Sequence, residues 1–317
     1  MLGYEVGARC GAWLRIRAGM HVDGNWPALG VAAGVARLLG LAPAGMGQGI
    51  DVAACQLATS LYLPVREGRT ARNTYLGHSA SLGLQAAFAS AAGIDAPAGA
   101  LAHYAREHAA QATQPLPDAA VSLLRDAYIK PFAAVRHVHY GAVAAGRLRA
   151  QLGDVDTAGI RRIVLKVYEE AIVYCGNRAP RTPIQAQFSL SFGIAAMLRF
   201  GDVDPSVYAA PRFDDAELRR LEALVELEPD AELTARKQRG ATLSLTLDSR
   251  VIADTVGTIA RDAESPLDRA ALTAKFMHYA AGMPALGAPA PKAARFCDGV
   301  LDAPADTALA ALWQQLA

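Results

Sequence analysis

The stretch Arg162-Ile163-Val164-Leu165-Lys166-Val167 decides the fold class. Ile163, Leu165 and Val167 fall on alternate positions, with Arg162, Val164 and Lys166 between them, which is the two-residue period of a strand with one buried face. A second run has the same form. Leu243, Leu245 and Leu247 alternate with Thr242, Ser244 and Thr246, and Asp248-Ser249 follows as the opening of a hairpin. Outside this central region the periodicity is helical. Leu29, Ala33, Ala36 and Leu39 share one helix face, with Gly40 at the position of a left-handed cap. A second helix runs from about Ser79 to Ala92, and the polar stretch Val65 to Gly77 reads as the loop before it. Pro131 suits a first helical position, so a helix is expected from there to about Gln151. Helices over Ile184 to Phe200 and Asp214 to Leu221 lie between the strands. The helical pattern returns from Leu267 to Gly282, followed by two short C-terminal helices. The expected fold is mostly α with an α+β part.

Composition limits the function. The chain has 317 residues, and 52% of them are apolar, enough for a sizeable core. Thirty-one basic residues against 30 acidic ones leave a net charge of +1, so there is no positive field to hold a phosphate backbone, and nucleic acid is not an expected partner. No apolar run approaches the roughly 20 residues of a membrane span, and Glu5 and Arg9 interrupt any leader-like stretch, so a cytoplasmic protein without membrane contact is expected. Cys10, Cys55, Cys175 and Cys297 show no C-x-x-C spacing. They point to no zinc site or iron–sulfur cluster, and no cofactor is expected.

Three polar clusters stand against the apolar background. The first is Met20-His21-Val22-Asp23-Gly24-Asn25-Trp26, ahead of a helix starting near Ala28, where free N–H groups and a positive dipole end would let His21 help bind a carboxylate. The plainer role is that Asp23 or Asn25 caps the helix and His21 lies at the surface. The second is Arg69-Thr70-Ala71-Arg72-Asn73-Thr74-Tyr75-Leu76-Gly77-His78. Arg72 can clamp a carboxylate in bidentate fashion, Asn73 and His78 add hydrogen-bonding groups, and Tyr75 or His78 can move a proton. A solvated loop accounts equally for the arginines, and less readily for Tyr75 and His78. The third is Lys130-Pro131-Phe132-Ala133-Ala134-Val135-Arg136-His137-Val138-His139-Tyr140. Lys130 at a helix start opposes the dipole unless an anion compensates it, and Arg136, His137 and His139 follow as binding candidates. In a helix His139 shares a face with Phe132, Val135 and Arg136, and His137 shares one with Ala133 and Gly141. The two imidazoles therefore diverge, and the His-x-His spacing is poor for a metal.

These clusters, in this order, resemble the MmgE/PrpD family. His21 through Leu41, closing Ala36-Arg37-Leu38-Leu39-Gly40-Leu41, is similar to a family segment in which a His and a turn precede an Ala-rich helix. Lys130 to His139 resembles its Lys-Pro-Tyr/Phe stretch ending Arg-x-x-His. Ala186-Gln187-Phe188-Ser189-Leu190-Ser191-Phe192 and Asp262-Ala263-Glu264-Ser265-Pro266-Leu267 look like its later signatures. The resemblance implies an all-helical domain built from both chain ends (1–129 and 268–317) and an inserted α+β lid domain (130–267), with the site in the cleft between. Members dehydrate 2-methylcitrate in propionate metabolism, decarboxylate cis-aconitate or epimerise iminodisuccinate, without a cofactor in the best-studied branch.

By position the resemblance places His21, Lys130 and Tyr174 among the catalytic residues, while Arg72 and Tyr75 stand where many members have Lys and His. Arg72 keeps the charge and gives up any role as a base. The function implied is a hydro-lyase acting on a small di- or tricarboxylic acid by proton abstraction alpha to a carboxylate, as a homodimer. Family members carry an earlier helical segment with an Asp-Asp-Thr-His-like motif that has no counterpart here, and Met1 to Trp13 reads as a helix interior without a cap. That leaves an alternative expectation: a shortened, inactive member that binds carboxylates or forms half of a split enzyme, with little 2-methylcitrate dehydratase activity by itself.

Overall fold

The computed structural model describes residues 1–108, 114–153, 157–257, 259, 268–281, 290–304 and 306–315. They form two compact units, Met1–Ile259 and Ala260–Ala317. The fold is mostly α with an α+β part, as the periodicities predict. In chain order the first unit contains α1 (Leu2–Trp13), β1 (Met20–His21), α2 (Pro27–Leu38), α3 (Pro43–Ala54), β2 (Ser60–Leu61), α4 (Leu63–Arg66), α5 (Tyr75–Ala91), α6 (Ala100–His108), α7 (Arg136–Leu152), β3 (Ile160–Val167), α8 (Glu169–Cys175), α9 (Pro183–Gln187), α10 (Leu190–Phe200), α11 (Ala216–Ala223), β4 (Val225–Pro229), α12 (Ala231–Ala235), β5 (Ala241–Leu247) and β6 (Val251–Val256). Among the described residues no helix is long and apolar enough to cross a membrane.

This unit has two separate apolar cores. The first gathers Leu29, Val52, Leu57 and Leu82 from α2, α3, α5 and the turn after α3. Helix α2 is its centre: Pro27 takes the first helical position, where no N–H is needed. At its other end Gly40, at φ +79°, lets the Leu41 N–H reach the Ala36 carbonyl at 3.1 Å and the Gly40 N–H reach that of Arg37 at 3.1 Å. Two neighbours crowd α2. A Cβ on Gly30 would lie 2.4 Å from the Gly3 carbonyl oxygen of α1, and one on Gly83 of α5 would lie 2.4 Å from that of Ala28, so bare backbone sets both helix spacings.

The second core lies between a four-stranded sheet, in the order β4-β3-β5-β6, and helices α7 and α10. Both strand readings hold. Leu243 and Leu245 are buried with Ile163, Leu165 and Val167, while Thr242 and Thr255 join hydroxyls at 2.9 Å and Arg162 pairs with Glu226 on the exposed side. The hairpin from β5 to β6 passes through Asp248 and Ser249, also as predicted. Ile160 is buried although it is an odd number of residues from Ile163. A register shift between Ile160 and Arg162 absorbs the extra residue. The parallel partner β4 is not apparent from the sequence, because a parallel neighbour needs a long crossover, here residues 168–224, and leaves no local turn signal.

Three local expectations are corrected. The helix expected from Pro131 starts at Arg136. The Ala133 and Val135 N–H groups donate instead to the carbonyls of Val203 (2.9 Å) and Gln187 (3.0 Å), so tertiary bonds displace the first helical turn. Lys130 is therefore not at a helix start. The loop expected from Val65 to Gly77 contains the end of α4, a 3-10 turn over Thr70–Thr74 and the start of α5. The helix expected from Ile184 to Phe200 is two helices, since the Ser189 hydroxyl accepts from the Phe192 N–H at 3.1 Å and caps a new start.

The second unit contains α13 (Arg269–Ala281), α14 (Ala290–Asp302) and α15 (Leu309–Trp313). Phe296 stacks on Trp313 and lies against Phe276, and Arg269 bridges Asp298 and Asp302. The Asp262 to Leu267 signature, with the domain boundary placed at its end, lies outside the described residues.

Candidate functional site

The candidate residues meet where the two cores of the first unit adjoin. On the helical side β1 pairs with β2, His21 opposite Ser60, which brings the His21 imidazole parallel to Tyr62 at 5.9 Å between centroids and edge-on to Tyr75 at 5.8 Å. The Asp23 N–H donates to His21 Nδ1 at 3.2 Å, so the neutral ring carries its proton on Nε2. The Ser79 hydroxyl donates to the Asp23 carbonyl at 2.7 Å and ties this turn to α5. Arg72, on the 3-10 turn, reaches Asp23 Oδ2 at 3.4 Å. Asn25 does not cap α2; its amide is buried and donates to the Ala58 carbonyl and the Tyr104 hydroxyl.

On the sheet side Tyr174 of α8 continues the row of rings. Tyr62 meets it edge-on at 5.7 Å and donates its hydroxyl to the Tyr174 carbonyl at 3.4 Å. Tyr174 in turn stacks on His137 at 6.0 Å, and His137 Nδ1 lies 2.6 Å from the Tyr168 hydroxyl. A continuous line of rings therefore runs from Tyr75 through His21, Tyr62, Tyr174 and His137 to Tyr168. Arg72 extends over Phe188, 5.8 Å from its ring, as a second link between the two cores.

The electrostatics favour neutral imidazoles and an anion. Desolvation lowers the His21 pKa, opposed by Asp23 and reinforced by Arg72. His137 is pushed down to about 4, first by desolvation, against the attraction of Glu170 and with help from Arg239 and Arg136. Lys130 donates to the Ala134 carbonyl at 3.3 Å. Its pKa is lowered by desolvation and then by the Arg72 charge, with Asp23 opposing. Arg72 Nε is buried without an acceptor among the described residues, which leaves one donor of the guanidinium unspent. Two cations in a partly desolvated junction, with the Asp23 carboxylate shared between Arg72 and the His21 imidazole, suit a bound anion better than a metal cation.

Not every candidate joins this group. Arg136 packs its guanidinium on Tyr128 at 4.1 Å. His139 is fully buried, with Nε2 3.1 Å from the Ala134 carbonyl and its ring edge-on to Phe132, so it packs at the edge of the second core. Asn73 and His78 are exposed on the first turns around α5. Tyr75 belongs to the ring row, and its hydroxyl donates to the Leu61 carbonyl at 2.9 Å. Sequence reasoning missed Tyr62 and Tyr168. Tyr62 follows a two-residue strand too short to show a period, and Tyr168 follows β3 as an ordinary apolar residue. A pair of tyrosines each beginning a helix beside a strand end was the signal available.

Residues 132–288 match the family model described as the MmgE/PrpD C-terminal domain. His137, Tyr168 and Tyr174 lie within the matched stretch, whereas His21, Tyr62, Arg72, Tyr75 and Lys130 precede it. No curated protein matches the chain.

Proposed function

From the MmgE/PrpD C-terminal domain that residues 132–288 match, we propose that the chain is a member of that family and acts on a small di- or tricarboxylic acid bound where its two cores meet. One observation carries this reading: Arg72, 3.4 Å from Asp23 and extending over Phe188 of the other core, keeps its buried Nε without an acceptor among the described residues, beside a Lys130 whose pKa is lowered by desolvation and then by the Arg72 charge. Such a pair is unfavourable alone and is relieved by a shared anion on binding, or by loss of the lysine proton ahead of turnover. In the elimination we propose, Lys130 Nζ first passes its own proton to solvent, which its lowered pKa eases, and then takes the proton alpha to a carboxylate. The C–H electron pair becomes the new C=C bond, the C–O bond breaks, and the departing hydroxide takes up the proton held by Lys130 and leaves as water. Arg72 stabilises the charge that develops on the carboxylate. His21 points an Nε2–H donor and acts as a neutral electrophile of the kind known from other enolisation sites.

A second reading, carboxylate binding without turnover, is favoured by a different observation. The Tyr75 proton is engaged by the Leu61 carbonyl and the His21 Nδ1 by the Asp23 N–H, so both groups are poorly placed to accept a proton. One experiment separates the two readings. The protein is screened by thermal shift against citrate, 2-methylcitrate, cis-aconitate and tartrate, and the acids that bind are incubated with it in D2O. Stabilisation by at least one acid is expected, because a ligand that binds only the folded state raises its stability by mass action. Arg72→Ala and Lys130→Ala should each weaken that binding by about 1.5–3 kcal/mol. Deuterium appearing at the alpha carbon supports proton abstraction, and binding without exchange supports the second reading. No stabilisation by any of the four acids would sink both.

A further inference from the structure

Tyr168 is the only hydrogen-bond partner, among the described residues, of the His137 imidazole, which stacks on Tyr174 in the ring row. Tyr168 is buried, and its hydroxyl has one hydrogen-bond partner among the described residues, His137 Nδ1 at 2.6 Å. Two arrangements of protons fit that distance. If Nδ1–H donated to the phenol oxygen, the phenol would hold a buried proton with no acceptor among the described residues, at the full cost of an unmade hydrogen bond. If the phenol donates, every group is satisfied, and a phenol is also the better donor of the two. Burial raises the Tyr168 pKa, so the proton stays on oxygen at neutral pH. The opposite imidazole nitrogen, Nε2, takes no partner among the described residues and is not closed off from solvent.

We propose that Tyr168 is a positioning residue that locks His137 as its Nε2–H tautomer, so that His137 serves as a neutral hydrogen-bond donor to an oxygen of the bound acid and not as a base. The second half rests on the carboxylate reading above; the first half does not. Glu170, Arg136 and Arg239 act on the ring from the surrounding elements, and Tyr174 covers one of its faces. The charges are of both signs and burial dominates them, so the ring stays neutral and the tautomer is set by the phenol. Together with His21, whose Nδ1 accepts from a backbone N–H, this gives the junction two neutral N–H donors in addition to its two cations.

The test is a long-range 1H–15N spectrum of the imidazoles in the uniformly labelled full chain at pH 7, with the His137 signals identified by their loss in His137→Gln. The expected result is an acceptor-type Nδ1 and a proton-bearing Nε2, with no protonation of the ring down to about pH 5. A proton on Nδ1, or titration at the ordinary histidine pH, overturns the lock without a variant being needed. In Tyr168→Phe the two tautomers should mix, and citrate affinity should fall about fivefold while the Arg72 and Lys130 effects persist. An unchanged tautomer in that variant also overturns the lock. Citrate added to the wild-type chain should shift the His137 Nε2–H signal. If citrate binds and leaves it in place, the donor role fails and the carboxylate reading survives. If none of citrate, 2-methylcitrate, cis-aconitate and tartrate binds, the carboxylate reading fails, the donor role goes with it, and the tautomer read in the free protein stands by itself.

Discussion

His137 gives up its charge in order to be buried, and this makes it a pH-sensitive element of stability. Its pKa falls from 6.5 to about 4 on folding, so between those values the unfolded chain binds more protons than the folded one. The sign follows directly: the contribution is fully present above pH 6.5 and is lost as pH falls toward 4, up to about 3 kcal/mol in all. His21 shifts in the same direction and adds to the same window. Glu5 works in a separate one, since its hydrogen bonds to Ser122 and the Leu124 N–H hold it down to about 2, and its contribution disappears only below its ordinary value of 4.5. Urea midpoints measured from pH 7.5 to 4.5 should therefore decline in the wild-type chain and decline less in His137→Gln. Equal slopes for the two proteins would show that His137 does not titrate as its surroundings imply. Sequence could name His137 and separate it from His139 by helix geometry, and the two do diverge. It could not supply Tyr168, because the pairing joins the first turn of α7 to the residue after β3, 31 positions away, with no periodic signal between them.

At the level of elements, the legible parts were those in which side chains alternate between core and water. The β3 and β5 patterns, the hairpin at Asp248-Ser249 and the Leu29, Ala33 and Ala36 face of α2 with its Gly40 cap all obey local rules, whereas Leu39, expected on the same face, is exposed just past the end of α2. What was illegible depended on partners distant in sequence: the β4 pairing, and the Ala133 and Val135 N–H groups that move the start of α7 to Arg136. Glycine content was visible as composition, but its meaning requires the helix crossings. Gly83→Val would place side-chain carbon 2.4 Å from the Ala28 carbonyl oxygen and 2.6 Å from Val31 Cβ, and should cost about 2 kcal/mol or more through forced separation of α2 and α5. Gly77→Ala, on the same helix, meets nothing within 4 Å and should stabilise by up to about 1 kcal/mol from helix propensity. Thermal melts of the two variants check this. Similar shifts in both would mean that the close approach is not what Gly83 provides.

At the scale of the whole molecule, the first unit carries two cores with separate membership, and the candidate site draws on both. His21, Tyr62, Arg72 and Tyr75 come from the helical side, His137, Tyr168 and Tyr174 from the sheet side, and the links described between them are an aromatic row, Arg72 over Phe188, and the Gln185 side-chain amide donating to the Arg66 carbonyl at 3.1 Å. Cores joined mainly by side chains can open separately, so hydrogen exchange in the ligand-free chain should show two levels of protection, one for α2 and α5 and another for β3, β5 and α10. A bound di- or tricarboxylate that contacts both sides should raise the lower level toward the higher. Uniform protection without ligand, or a ligand that protects one side alone, would place the site within a single core. The row of rings has a further consequence, in terms of inheritance. Cutting the gene near codon 130 would give each piece a whole hydrophobic core and only part of the ring row, so neither piece could be kept for what the row does. Any selection acting on this site acts on both segments together, and it favours whatever keeps them on one polypeptide or in one complex.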